Sequence, residues 1–174
     1  MRKVSGVGIN DLGIMNQAYR PWVNMLNRCY KSTRDTYRGC EVCDDWKLFS
    51  KFSKWFFETK PNLKWQLDKD FLGDGKLYSP ETCCWLPSHI NNMFSDGNCK
   101  DTMMKGIKQS PYGFELKMSL KGKMKHVGTF KTLQDAIAKR RQVKLDYIRS
   151  ELQCHIDAGL IPSSILDICL NKIV

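Results

Sequence analysis

Asp68 and Asp70 flank Lys69 at the end of a short apolar run, and the pair Asn91-Asn92 follows downstream. Carboxylates on a strand and amide side chains on a helix are hard oxygen donors. With water completing the shell, they suit Mg2+ (or Mn2+), cations that keep several waters and take few protein ligands. A cation held this way polarises a phosphate oxygen. The expected metal ligands are Asp68 with Asn91 or Asn92, and the expected catalytic group is Asp68, Lys69, Asp70 and His89. A lysine beside a divalent cation stays protonated and is a poor base. Activation of water then falls to Asp70, to His89 or to the cation itself. The competing reading makes Asp68 and Asp70 turn-capping carboxylates that hold no metal.

The elements that must position these residues are legible around them. Leu67-Asp68 ends a strand, Gly73-Asp74-Gly75 is a turn, a second short apolar strand precedes Pro87, and a helix opens after it. Upstream, residues 1–17 form a glycine-bearing arm, and Tyr19 to Tyr30 has helical spacing of its apolar residues. Leu48, Phe49, Phe52, Trp55 and Phe56 recur at the i, i+3, i+4, i+7 spacing of a core-facing helix, which outweighs reading them as a base-stacking platform. The Gly/Asn/Asp-rich piece around 96–105 has linker composition. The expected organisation is an arm (1–17), a first unit (18–95), a linker (96–105), a second unit (106–150) and a helical tail (151–174) broken at Gly159 and Pro162. The fold class is α+β.

Charge points to a polyanionic partner. The 174 residues carry a formal net charge of +10. Residues 106–150 hold 11 Lys/Arg against 3 Asp/Glu, so most of the excess lies in about a quarter of the chain. Double-stranded DNA is the partner such a patch fits. No apolar segment opens the sequence and no run reaches membrane-spanning length, so the reading is a cytoplasmic protein with no membrane partner and reduced thiols.

Within 106–150, Phe114, Leu116, Met118 and Leu120 alternate with Glu115, Lys117, Ser119 and Lys121, the pattern of a half-buried strand. Gly122 turns the chain into a second strand, and Thr132 caps a helix with apolar Leu133, Ala136, Ile137 and Ile148. The apolar sheet face is expected to pack on that helix. The other face is expected to present Lys108, Lys117, Ser119, Lys121, Lys123, Lys125 and His126 to DNA. The segment Gly106-Ile-Lys-Gln-Ser-Pro-Tyr-Gly-Phe114, with His126-Val-Gly-Thr-Phe130 and Asp135-Ala136, resembles the DNA-binding domain of plant ethylene-response factors, also carried by phages. The resemblance implies a three-stranded antiparallel sheet on one helix, with the sheet touching DNA. Lysines stand where the plant proteins use arginines and a tryptophan, which favours phosphate affinity over base readout.

Residues 19–94 resemble phage-encoded HNH homing-type endonucleases. The matching elements are Trp22 to Tyr30, Val42-Cys-Asp-Asp-Trp46, Leu67-Asp-Lys-Asp70, Tyr78-Ser-Pro-Glu-Thr-Cys83 and Ile90-Asn-Asn92. The resemblance implies a ββα-metal frame in which Asp68 is the strand ligand and Asn91 or Asn92 the helix ligand. Lys69 stands at the general-base histidine and Thr82 at the loop asparagine. Cys40, Cys43, Cys83 and Cys84 offer a structural Zn2+ alternative, although adjacent cysteines on a strand point to opposite faces and buried-thiol packing serves equally well. The expected function is metal-dependent hydrolysis or nicking of double-stranded DNA by a phage protein in the infected cell. The alternative is a catalytically degenerate DNA-binding or host-interaction protein that regulates or counters defence. The sequence leaves a homodimer open.

Overall fold

The computed structural model describes residues 3–62, 64–94 and 104–171. The architecture is α+β, as the sequence patterns require. The chain divides into two compact units, Met1–Leu86 and Pro87–Val174. The division falls before the 96–105 linker expected from composition, most of which lies outside the described residues.

In the first unit, α1 (Tyr19–Tyr30) buries Trp22, Met25 and Leu26. Pro21 is tolerated because its position in the first turn needs no amide donor. The short α2 (Asp44–Lys47) leads into α3 (Phe49–Thr59), which buries Phe49, Phe52 and Phe56. The aromatic stripe is therefore core. Trp46 meets Phe52 edge-on at 5.1 Å, and Trp55 stacks on Trp85 at 5.2 Å. The Trp22 indole donates to the Trp46 carbonyl at 2.7 Å, satisfying a polar atom that burial would otherwise strand. Lys60 ends α3 in an extended conformation, as a residue before proline must.

Four short strands complete this unit. β1 (Glu41–Val42) runs parallel to β3 (Leu77–Tyr78), while β2 (Trp65–Asp68) pairs with β4 (Cys84–Pro87). The strand–strand–helix order continues into α4 (Ser88–Phe94). The sequence pattern does not announce β3, a two-residue strand that draws the intervening loop onto β1.

The second unit holds α4 and an antiparallel sheet of order β5 (Ile107–Ser110), β6 (Gly113–Leu120) and β7 (Lys123–Phe130). Lys121 and Gly122 both take positive φ, 52° and 73°, as the two-residue turn joining right-twisted strands demands. Thr132 caps α5 (Leu133–Asp157) by accepting from the Asp135 amide at 3.1 Å. The helix packs across β6 and β7, so Leu116, Met118, Ala136, Ile148 and Leu152 are buried. Sequence places a separate helix from 151. Instead α5 runs unbroken to Asp157, since nothing interrupts it before Gly159 at φ 68° and Leu152 continues the buried stripe from Ile148. α6 (Ser164–Asn171) then packs on α5. Among the described residues, no helix is long and apolar enough to cross a membrane.

Candidate functional site

β2 delivers Asp68 as its last residue, and the chain turns at once. Asp68 Oδ1 accepts from the Asp70 amide at 2.7 Å and the Phe71 amide at 3.1 Å, so this carboxylate is 8% exposed and fixed in place. Lys69 is also buried, its side chain 6% exposed, while the Asp70 side chain is 60% exposed. The Lys69 amine donates to Asp70 Oδ1 at 2.5 Å and to the Gly75 carbonyl at 2.6 Å. The Tyr37 and Tyr78 rings lie 5.9 and 5.8 Å from it. Burial disfavours the ammonium, but the bond to Asp70 and its charge outweigh that and raise the Lys69 pKa above its ordinary value. Lys69 is thus a charged, enclosed tie of the 70–75 turn, and it does not present itself to a phosphate. Gly75, at φ 74°, is required here because a Cβ would run into the Asp70 carboxylate. Thr82 ties the neighbouring loop, donating to the Leu77 carbonyl at 2.7 Å and accepting from the Ser79 amide at 3.1 Å.

His89, Asn91 and Asn92 lie on α4 and so belong to the second unit, whereas Asp68, Lys69 and Asp70 belong to the first. Within its unit, His89 Nε2 sits 3.2 Å from Glu151 Oε2 without hydrogen-bond geometry, and its ring lies against Tyr147 at 6.0 Å. Glu151 Oε1 also takes the Lys121 amine at 2.9 Å, and the Tyr147 hydroxyl accepts from the Lys121 amide. His89 and Lys121, expected as a catalytic residue and a DNA contact, are therefore both drawn to one carboxylate on α5.

The sheet register decides which residues share a face. A bulge between Leu116 and Lys117 leaves Val127 unpaired, so Lys117 faces His126, Ser119 faces Met124, and Glu115 faces both Lys108 and Thr129. This is the exposed face. Lys125 pairs with Met118 and Lys123 with Leu120, which places both lysines on the side of the apolar residues. The expected single row of cations is corrected accordingly: Lys108, Lys117, Ser119 and His126 share the open face, and Lys123 and Lys125 do not. Two residues of this sheet are not marked by the sequence pattern. Tyr112, 89% exposed, stands at the β5–β6 turn, and Met124, 69% exposed, stands beside Ser119. The Pro111-Tyr112-Gly113 turn was the available signal, since a turn tip holds its aromatic in the open. Glu115, counted only as a polar alternation, also occupies this face. Lys117 donates to it at 3.0 Å and His126 lies 3.6 Å away.

Several cysteines behave as packed thiols, and Cys29, Cys40, Cys43, Cys83 and Cys154 form no disulfide. Cys40 donates to the Gly75 carbonyl at 3.4 Å, and burial pushes Cys29 and Cys83 up to about 12. No group of three or more His, Cys, Asp or Glu able to hold a metal occurs among the described residues, so the Zn2+ alternative finds no ligand set there. Mg2+ asks less of the protein, and the carboxylate oxygens of Asp68 and Asp70 are donors of the hard kind it prefers. Because folding raises these two thiol pKa values from 9.0, their protonated state contributes stability below pH 9 that is lost as pH climbs toward 12. Iodoacetamide at pH 8 should modify exposed Cys154 first, and buried Cys83 and Cys169 only after denaturation. Mass-spectrometric mapping in which Cys83 reacts as fast as Cys154 would contradict this packing. Comparison of the chain with protein-family models, with curated proteins and with solved structures gave no match.

Proposed function

We propose that the chain is a phage-type HNH endonuclease that binds double-stranded DNA through its basic sheet unit and hydrolyses or nicks it with a divalent metal. The observation that carries this reading is the concentration of 11 Lys/Arg against 3 Asp/Glu in residues 106–150, on a unit whose helix covers one sheet face and leaves the other open. The acid-X-acid turn at Asp68 and Asp70 supplies the chemistry. These carboxylates would hold Mg2+ or Mn2+, which when bound stabilises charge developing on the phosphate. Asp68 is pre-set by its two amide donors. Asp70, open to solvent, is the group in the first unit that can accept a proton from the attacking water. Lys69 orients Asp70 and does not act as a base.

A second reading is favoured by a specific observation. A sealed, charged lysine stands where the general base would be, and His89 is drawn to Glu151. Under that reading the protein binds DNA, or a host protein, and cuts nothing. A supercoiled-plasmid assay with Mg2+ or Mn2+, set against EDTA, separates the two: metal-dependent nicks support the enzyme, and bound but intact plasmid supports the binding-only protein. Binding itself should be salt-sensitive. Lys108 and Lys117 are the lysines of the open face, and Lys117 is partly neutralised by Glu115, so roughly two phosphate contacts are expected, with a log K against log salt slope of about −1.8. Lys108→Ala should lower that slope by about one unit. Affinity that is flat across salt would remove DNA as the partner.

A further inference from the structure

A surface that only neutralises phosphates gains nothing from a carboxylate at its middle, since the charge repels the backbone it is meant to hold. Glu115 nevertheless occupies the central strand of the open face, with Lys108 and Thr129 as its cross-strand partners and Lys117 next along the strand on the same side. Oε1 takes the Lys117 amine at 3.0 Å and faces His126 Nε2 at 3.6 Å. The hydrogen bond from Lys117 holds the carboxyl below its usual range, with further help from His126 and Lys108, so it is ionised at neutral pH. The side chain is 30% exposed, enough to reach outward while Lys117 and His126 fix its direction.

We propose that Glu115 is a base-reading residue of this face, its Oε2 accepting a hydrogen bond from the N4 amino group of a cytosine in the major groove, an assignment that rests on the DNA-binding reading above. The chemistry is specific. In the major groove, cytosine offers an amino donor with no acceptor on its own edge, adenine sets its amino donor beside the N7 acceptor, and guanine and thymine offer acceptors that a carboxylate repels. Lys117 and His126 serve as positioning residues that set the Glu115 rotamer and offset its repulsion of neighbouring phosphates. Readout at one position then sits within an otherwise phosphate-driven interface.

The test selects duplexes from a randomised library with the full-length chain and with Glu115→Ala and Glu115→Gln, circular dichroism serving as the folding check. The wild-type chain should enrich a C·G pair at one position by about tenfold. Glu115→Ala should lose that preference while its affinity for the unselected pool rises, because a repelling charge is gone. Glu115→Gln should move the preference toward A·T, since an amide side chain pairs with the N6/N7 edge of adenine. The assignment is overturned if wild type and Glu115→Ala enrich the same sequences equally, which would leave Glu115 as an intramolecular ion-pair partner. Wild-type protein that fails to retain the pool at low salt overturns the DNA-binding reading, and this inference with it.

Discussion

Leu116→Asp should abolish the cooperative unfolding transition of the second unit. Leu116 is fully buried on the sheet face shared with Met118, and α5 covers that face with Ala136 and Ile148. An aspartate there has no partner. Burying an unpaired carboxylate costs several kcal/mol, a large share of the roughly 5–15 kcal/mol by which a domain is stable, so the unit unfolds rather than accept it. Leu116→Met conserves volume and should cost less than about 1.5 kcal/mol. Thermal denaturation followed by circular dichroism, with limited proteolysis to locate the unfolded segment, checks both variants. Proteolysis of Leu116→Asp should cut within Ile107–Asp157 and spare α1 and α3. A variant that keeps its full transition would mean that the sheet faces have been assigned the wrong way round.

The alternation that identifies Leu116 as inward is local, and local patterns are what a single sequence carries well. Phe114, Leu116 and Met118 declare a strand and its buried side, Thr132 declares a helix start, and Phe49, Phe52 and Phe56 declare a helix with one apolar face. What the sequence hides depends on residues brought together from a distance. Lys123 and Lys125 leave the open face because of how β7 pairs with β6 beyond the unpaired Val127, and nothing in the run Lys123-Met-Lys-His126 marks that register. The burial of Lys69 is hidden in the sequence, because lysines are almost never buried unless paired. Its acceptors, Asp70 and the Gly75 carbonyl, are assembled only when the 70–75 turn closes. Glu151 lies outside the basic segment, yet its oxygens lie near both His89 and Lys121, partly neutralising a candidate phosphate contact and setting a carboxylate beside a candidate base. In each case the residue type is correct for the chemistry first inferred, and the tertiary partner decides whether it is available.

Asp68→Asn and Asp70→Asn should each lower metal-dependent nicking at least about a hundredfold while leaving DNA affinity within about twofold, because each removes a charge that a divalent cation needs and leaves the lysines of the sheet in place. The two substitutions separate chemistry from structure in different ways. Asp68 Oδ1 holds two backbone amides, and an asparagine carbonyl can accept both, so Asp68→Asn should keep the turn, whereas Asp68→Ala should lose about 1–2 kcal/mol by stranding those donors. Asp70→Asn weakens the tie to the buried Lys69 ammonium, which is left with the Gly75 carbonyl and loses its neutralising charge. Some loss of melting temperature is therefore expected for Asp70→Asn and little for Asp68→Asn. The informative comparison is Asp68→Asn with wild type at equal stability. Loss of nicking at unchanged melting temperature identifies the carboxylate charge as part of the reaction. Undiminished nicking by Asp68→Asn would reduce Asp68 to a turn cap, because a cation ligand cannot lose its charge at the reacting centre without effect.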